Sequence, residues 1–290
     1  MKRLAVLAAV GSLMAITSAS TYAFFPASMQ RDEGKVGCHA INTEPHQTRC
    51  LAKNGDDAAQ ARLGEFYGEG VYGPVNCAKA VKWYRKAAAQ RNPHGLNGLG
   101  IYYTLGCSGS GSEGVAIDYA KAIELFHNAA NQGYAPAEYN IGVAYAHGWG
   151  VDRDLENAFY WHHRAAEGGY ANAQLRLGYA YEMGEGVPRN HGEAFRWYHT
   201  AANQGSVAAH WYLGDLYERG HIVDQNVHVA TLWYRKAAEQ GSYDSASALA
   251  RLYGTEGLLR NYVLSYKWYS VATTLSLSDL PCICDLVHAS

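Results

Sequence analysis

Charge is in short supply in this chain. Charged residues make up 17% of its 290 positions, and they nearly cancel to a formal net charge of −2. No strong field is available to draw in nucleic acid or an anionic membrane. After the first 23 residues no apolar stretch approaches the length needed to cross a bilayer, which excludes a multi-span membrane protein. The six cysteines show no C-x-x-C spacing, so the usual zinc and thioredoxin-like arrangements are missing. There is no H-E-x-x-H, no G-x-S-x-G and no Walker loop, and no serine stands three residues before a lysine. These gaps lead us to expect a protein that is not an enzyme and that carries no cofactor and no metal. Gly109, Gly111 and Gly114 formally spell G-x-G-x-x-G, but no strand precedes them, and they read as a loop rather than a nucleotide site.

Disorder is excluded too, since 48% of the residues are hydrophobic. Only 7 prolines stand beside 23 tyrosines, 7 tryptophans and 31 glycines, a balance that suggests a repeated packing unit. The first segment is different. Lys2 and Arg3 precede an apolar run from Leu4 to about Ala19, followed by Thr21-Tyr22-Ala23. A charged start, a short apolar stretch and small residues before the cut describe a signal peptide over residues 1–23, too short a run to favour an anchor helix. The expected product is exported, periplasmic or secreted, with no membrane span in its mature form. The first cysteine is Cys38, so no lipid anchor at the cut is expected. In an oxidising compartment an even cysteine count points to disulfides. Cys282-Ile283-Cys284 would close a strained ring, so that pair is expected to stay free, join another chain or form a labile bond.

Leucine-glycine pairs followed by tyrosine recur along the chain: Leu63-Gly64 with Tyr67, Leu99-Gly100 with Tyr103, Ile141-Gly142 with Tyr145, Leu177-Gly178 with Tyr181, and Leu213-Gly214 with Tyr217. They are spaced 36, 42, 36 and 36 residues apart. Each is followed by a second signature, Trp83-Tyr84, Trp161-His162, Trp197-Tyr198 and Trp233-Tyr234, whose place Leu125-Phe126 fills in the second unit. The extra six residues of the second unit lie in the run Ser108 to Gly114, and a sixth, degraded unit carries Leu249, Tyr253 and Trp268-Tyr269. At 100° per residue, A-x-x-x-L-G-x-x-Y falls on one side of a first helix, A, and W-Y-x-x-A-A marks a second, B. Glycines such as Gly148, Gly184 and Gly220 end the A helices, and Gly133, Gly169, Gly205 and Gly241 end the B helices. Arg91 breaks that rule in the first unit. One helix pair cannot bury its apolar face alone, so the units must stack.

Trp83-Tyr84-Arg85-Lys86-Ala87-Ala88 and Trp233-Tyr234-Arg235-Lys236-Ala237-Ala238, with the A-helix motif before them, resemble the Sel-1-like repeats, relatives of the tetratricopeptide repeats. The resemblance covers roughly residues 57–276. It implies an all-α, right-handed α-solenoid of about six helix-turn-helix repeats. An N-terminal capping segment would occupy 24–56 and a C-terminal cap 277–290. The family mostly supplies protein-interaction scaffolds, and exported bacterial members are implicated in envelope assembly or host interaction. The expected partner is therefore a protein or peptide. Peptidoglycan or another glycan is the alternative, together with weak β-lactam binding or hydrolysis as in some cysteine-rich relatives, although no residue here transfers that chemistry.

In the solenoid picture Cys77 begins helix B of the first unit and Cys107 ends helix A of the second, so a Cys77–Cys107 disulfide would pin the base of the insert. Cys38–Cys50 would tie a capping half-unit over about 44–54. The side of helix A opposite its packed leucine lines the inner curve of such solenoids. It would present Tyr139, Val143, Leu175, Tyr179, Met183 and Trp211, with Asp215 among the polar residues, as a surface for a partner. The +4 tyrosines and the helix-B tryptophans read as core. Arg85, His127, His163, His199 and Arg235 align as a ridge that reads as a solvated outer face.

Overall fold

The computed structural model describes Cys38 and residues 44–107, 114–220, 222–255 and 260–278. The segment expected to be a signal peptide and most of both expected caps, with Cys282 and Cys284, lie outside the described residues. Thirteen helices run through the rest. The first, α1 (Glu44–Lys53), precedes six pairs: α2 (Asp57–Glu69) with α3 (Cys77–Ala89), α4 (Pro93–Leu105) with α5 (Tyr119–Ala130), and α6 (Ala135–His147) with α7 (Leu155–Glu167). Then come α8 (Ala171–Met183) with α9 (His191–Asn203), α10 (Val207–Arg219) with α11 (Val227–Glu239), and α12 (Tyr243–Gly254) with α13 (Tyr262–Ser278). The chain divides into two compact bodies, one within Phe24–Asn190 and one that includes His191–Ser290.

Helix boundaries follow from capping chemistry. Asp56, Asn76, Asn92, Asp118 and Asp154 in the first body each accept a hydrogen bond from the backbone N–H three residues on. Ser206, Asn226 and Ser242 do the same in the second. Each such cap satisfies one donor that a helix start leaves unpaired. At the far ends Gly70, Gly148, Gly184 and Gly220 adopt the left-handed conformation.

Arg91 is the one positive-φ residue other than glycine among those described, at φ 63°. Gly133 and Gly169 hold the equivalent positions later in the same body, at 76° and 84°. An L side chain in this region costs roughly 1–2 kcal/mol, and the Arg91 side chain is exposed. Arg91→Gly is therefore expected to stabilise the first body by about 1 kcal/mol, after the entropy of the more flexible unfolded chain is subtracted. Urea unfolding of the two chains checks this, with a higher midpoint expected for the glycine variant.

Within the first body each helix packs on its sequence neighbours, and α2 also touches α4, as stacked pairs require. The core is built from the repeated leucines and small residues. Leu63, Ile141 and Leu177 are fully buried there, as are Leu213 and Leu249 in the second body. The helix-A glycine makes room for the second aromatic residue of helix B. A Cβ on Gly100 would fall 2.5 Å from the Phe126 ring, and one on Gly142 would fall 2.5 Å from the His162 ring. The tryptophans, read as core, divide: Trp197 and Trp268 are buried, at 8% and 5% exposed. Tyr84, Phe126, His162, Tyr198 and Tyr234 are buried, whereas Trp83, Trp161 and Trp233 are half-buried under cations. Lys86 lies 4.4 Å, Arg164 5.0 Å and Lys236 4.5 Å from the respective tryptophan ring centres.

Both Cys38–Cys50 and Cys77–Cys107 are disulfide-bonded, with Cα–Cα distances of 5.6 and 5.9 Å. Cys107 also exchanges two backbone hydrogen bonds with Val115, of 2.8 and 3.1 Å. The six-residue insert thus leaves and rejoins the fold at a closed base.

Candidate functional site

In the first body the A helices α6 and α8 carry five of the residues expected to meet a partner. Val143, Leu175 and Tyr179 are half-buried and Met183 is exposed. Tyr179 lies under the Arg176 guanidinium, 5.1 Å from the ring centre, and Arg176 also pairs with Glu185 at 3.3 Å. Tyr139 does not join them. It is only 7% exposed, in contact with His162 at 5.2 Å and Tyr170 at 5.3 Å between ring centres, and burial pushes its hydroxyl up to about 12. The cause is local. Tyr170 stands where Asn92 caps α4, and in place of a side-chain cap it lays its ring against Tyr139.

Beneath this surface His162 is 3% exposed, and its Nε2 has no hydrogen-bond partner among the described residues. Burial, with smaller contributions from the nearby Arg176 and His147 charges, lowers its pKa to about 3. Near the end of α6, His147 stacks on Trp149 at 4.8 Å and Trp149 on Tyr119 at 5.7 Å. Sequence reasoning passed over that aromatic group because Trp149 follows the helix stop and belongs to neither motif.

In the second body Trp211 is half-buried against the core formed by α11, α12 and α13, and its ring meets Tyr212 edge-on at 5.0 Å. Asp215 pairs with Arg219 at 2.8 Å. Glu218 accepts from Arg251 at 2.6 and 2.9 Å and from the Tyr234 hydroxyl at 2.9 Å, which raises the tyrosine pKa further beyond the effect of burial. These groups surround a cleft of about 520 Å³. A second cleft of about 570 Å³ opens between α12 and α13 and is lined by Tyr243, Tyr262, Tyr266 and Tyr269. The motif search missed it, although the i, i+4, i+7 spacing of the α13 tyrosines was a readable signal.

The ridge read as solvated is half-buried where it can be followed. His127 meets Trp161 edge-on at 5.3 Å, and burial lowers its pKa. His199 meets Trp233 at 5.7 Å. Among the described residues no group of three or more His, Cys, Asp or Glu side chains is placed to hold a metal ion. No described helix is long and apolar enough to cross a membrane.

The Sel1 repeat family model matches residues 57–92, 93–134, 135–170, 171–206, 207–242 and 244–276, and each match takes in one helix pair. The chain belongs to the Sel1 repeat family, an all-α solenoid of six repeats whose members typically serve as non-catalytic scaffolds for protein–protein interaction. A Sel1 repeat protein from Oxalobacter formigenes is similar in structure, with a TM-score of 0.65 and 27% identity over 79% of this chain and 90% of that one. A protective antigen of uropathogenic Escherichia coli displaying an SLR fold has a TM-score of 0.52 and 31% identity, over 79% of this chain and 56% of that one. A putative sel1-like repeat-containing protein of Acanthamoeba polyphaga mimivirus is 44% identical over 48 residues, which is 17% of this chain and 8% of that protein.

Proposed function

We propose that this chain is an exported scaffold that holds a partner protein or peptide against the A-helix faces of its repeats. The observation that carries the reading is the surface of α6 and α8, where Val143, Leu175, Tyr179 and Met183 leave apolar area uncovered beside the Arg176–Glu185 pair. An apolar centre with a charged rim is the anatomy of a protein-binding patch. Export is supported by the leader sequence and by two disulfides, bonds that persist in oxidising compartments. Service in envelope biogenesis or at a host surface accords with the similarity to the Escherichia coli protective antigen.

The test is affinity capture from an envelope extract with residues 24–290, beside a Tyr179→Ala/Met183→Ala variant. A protein retained by the unsubstituted chain and lost by the variant, at equal helicity, is the expected result. Retention of peptidoglycan with no differential protein would overturn the reading in favour of a glycan-binding module.

A further inference from the structure

The first body carries an acidic, aromatic cluster that the surface of α6 and α8 does not use. Glu65 and Glu69 stand one turn apart on α2, and four rings follow one another beside them. Between ring centres Tyr102 lies 6.0 Å from Tyr84, Tyr84 6.0 Å from His94, and His94 6.2 Å from Tyr134. One hydroxyl here is without its usual partner. In the fifth repeat the equivalent tyrosine, Tyr234, donates to Glu218, five residues after the packed leucine of its A helix. In the first repeat that position is Gly68, and the Tyr102 hydroxyl stands 2.7 Å from where a Cβ on it would fall. Tyr84 is thus 7% exposed, yet its hydroxyl has no hydrogen-bond partner among the described residues. It is not one of the sealed atoms of the core, and the groups whose charge it feels are Glu65, Glu69, Tyr102 and Tyr134.

The cations of the first repeat do not fill this cluster. Arg62 bonds Glu65 at 2.7 Å, but its guanidinium lies over the Phe66 ring at 4.9 Å and reaches toward Glu44 at 3.4 Å. The Arg62 contact and that of His94 at 3.9 Å both fall on Oε2 of Glu65, which leaves Oε1 open among the described residues. Lys79 is held over the Tyr67 ring at 5.3 Å. Glu69 has no ion pair among the described residues, and burial together with repulsion from Glu65 raises its pKa. Burial lowers that of His94, so its ring adds no charge at pH 7. Glu44, Glu65 and Glu69 therefore stand against one guanidinium.

Resting on the protein-binding reading above, we propose that this cluster is a socket for a basic side chain, lysine or arginine, of the bound partner. The excess of carboxylates disfavours an acidic or phosphorylated ligand. A metal ion is a poor occupant, because among the described residues no three His, Cys, Asp or Glu side chains converge on one point. A sugar needs an open ring face on which to stack. Here Tyr84 is buried, and the His94 and Tyr134 rings are turned toward each other, 27° from parallel. A basic side chain uses what is present. Its charge meets Glu69 and Oε1 of Glu65, its N–H groups donate to these oxygens and to the Tyr84 hydroxyl, and its methylene stem packs along the ring edges.

The test is a titration of the full chain followed by amide NMR. The probes are capped glycine-lysine-glycine and glycine-arginine-glycine peptides, with neutral twins that carry ε-acetyl-lysine and citrulline. We expect saturable shifts at Gly68 and Tyr102 with a basic peptide, and binding weaker by about tenfold or more for its neutral twin. Glu69→Gln should cost about tenfold and Tyr84→Phe about threefold. Glu69 is exposed, and Phe126 already fills the place of Tyr84 in the second repeat, so both variants are expected to fold. Glu156→Gln removes a carboxylate from the first turn of α7 and should leave binding unchanged. Equal weakening by Glu156→Gln would reduce the effect to general charge attraction and overturn the socket, as would equal binding of the neutral twins or no binding at all. The capture experiment separates the two proposals. An envelope protein lost with Tyr179→Ala/Met183→Ala, but held equally by Glu69→Gln/Tyr84→Phe, would overturn the assignment to a partner's side chain. The protein-binding reading would then stand, and any amine bound in the titration would be a free one.

Discussion

Lowering the pH from 7 to about 4 is expected to remove roughly 3 kcal/mol of stability from the first body through His162 alone. In the folded chain this ring is buried against Gly142 and Tyr139, and its pKa is lowered to about 3. In the unfolded chain it titrates near 6.5. Between those values the unfolded state binds the extra proton, so stability is present in full above about pH 6.5 and falls as the pH drops toward 3. His94, His127 and His147 are lowered in the same direction, chiefly by burial, and add to the slope. His162→Phe isolates the main contributor. Phe126 already occupies the equivalent place over Gly100, so the larger ring has a precedent in this fold. The variant should be more stable at pH 7, because the unpartnered Nε2 is gone. Its urea midpoint should also change much less between pH 6.5 and 4. Equal pH slopes for the two chains would show that His162 is not the group being titrated.

The second large effect is expected from the disulfide between α3 and the end of α4. Cys77 and Cys107 are 30 residues apart, and cross-linking a loop of that length stabilises by roughly 3.5 kcal/mol in the chain-entropy account. In a stack of repeats such a loss stays local, because each unit contacts only its neighbours. A Cys77→Ser/Cys107→Ser chain should therefore exchange amide hydrogens much faster in α2 to α5, while α10 to α13 keep their protection. Mass spectrometry of the exchanged peptides reads both regions in one experiment. Uniform loss of protection would mean that the array unfolds as a single unit.

The fold was legible because its determinants are local and repeated. The leucine-glycine pair and the aromatic pair about 20 residues later specify two helices and the contact between them, and six copies average out any single departure. The candidate surface was legible only in part. Val143, Leu175, Tyr179 and Met183 are half-buried or exposed, in keeping with periodicity alone. Tyr139 is hidden by Tyr170, a residue 31 positions away at a helix start, and helix periodicity carries no information about such a neighbour. Trp211 belongs partly to the core because α12 and α13 pack beside it, in the repeat whose motif is most degraded. Asp215 was read as a polar member of the surface, and its partner Arg219 is one turn farther along the same helix, a pairing that spacing does make visible. The tyrosine cleft depends on two helices meeting: the spacing of the α13 tyrosines was readable, and the packing of α12 against them was not.

The closed base of the insert has a consequence for how this architecture tolerates change. Every other interval between repeats is 36 residues, and the second reaches 42 without disturbing the helices on either side. The Cys77–Cys107 bond and the Cys107–Val115 bridge fix the two ends of the added segment before it begins. Length between those ends is thereby decoupled from register in the stack. The interval between these two fixed ends is accordingly a natural graft position, where an epitope, a tag or a second recognition loop can be carried by the scaffold.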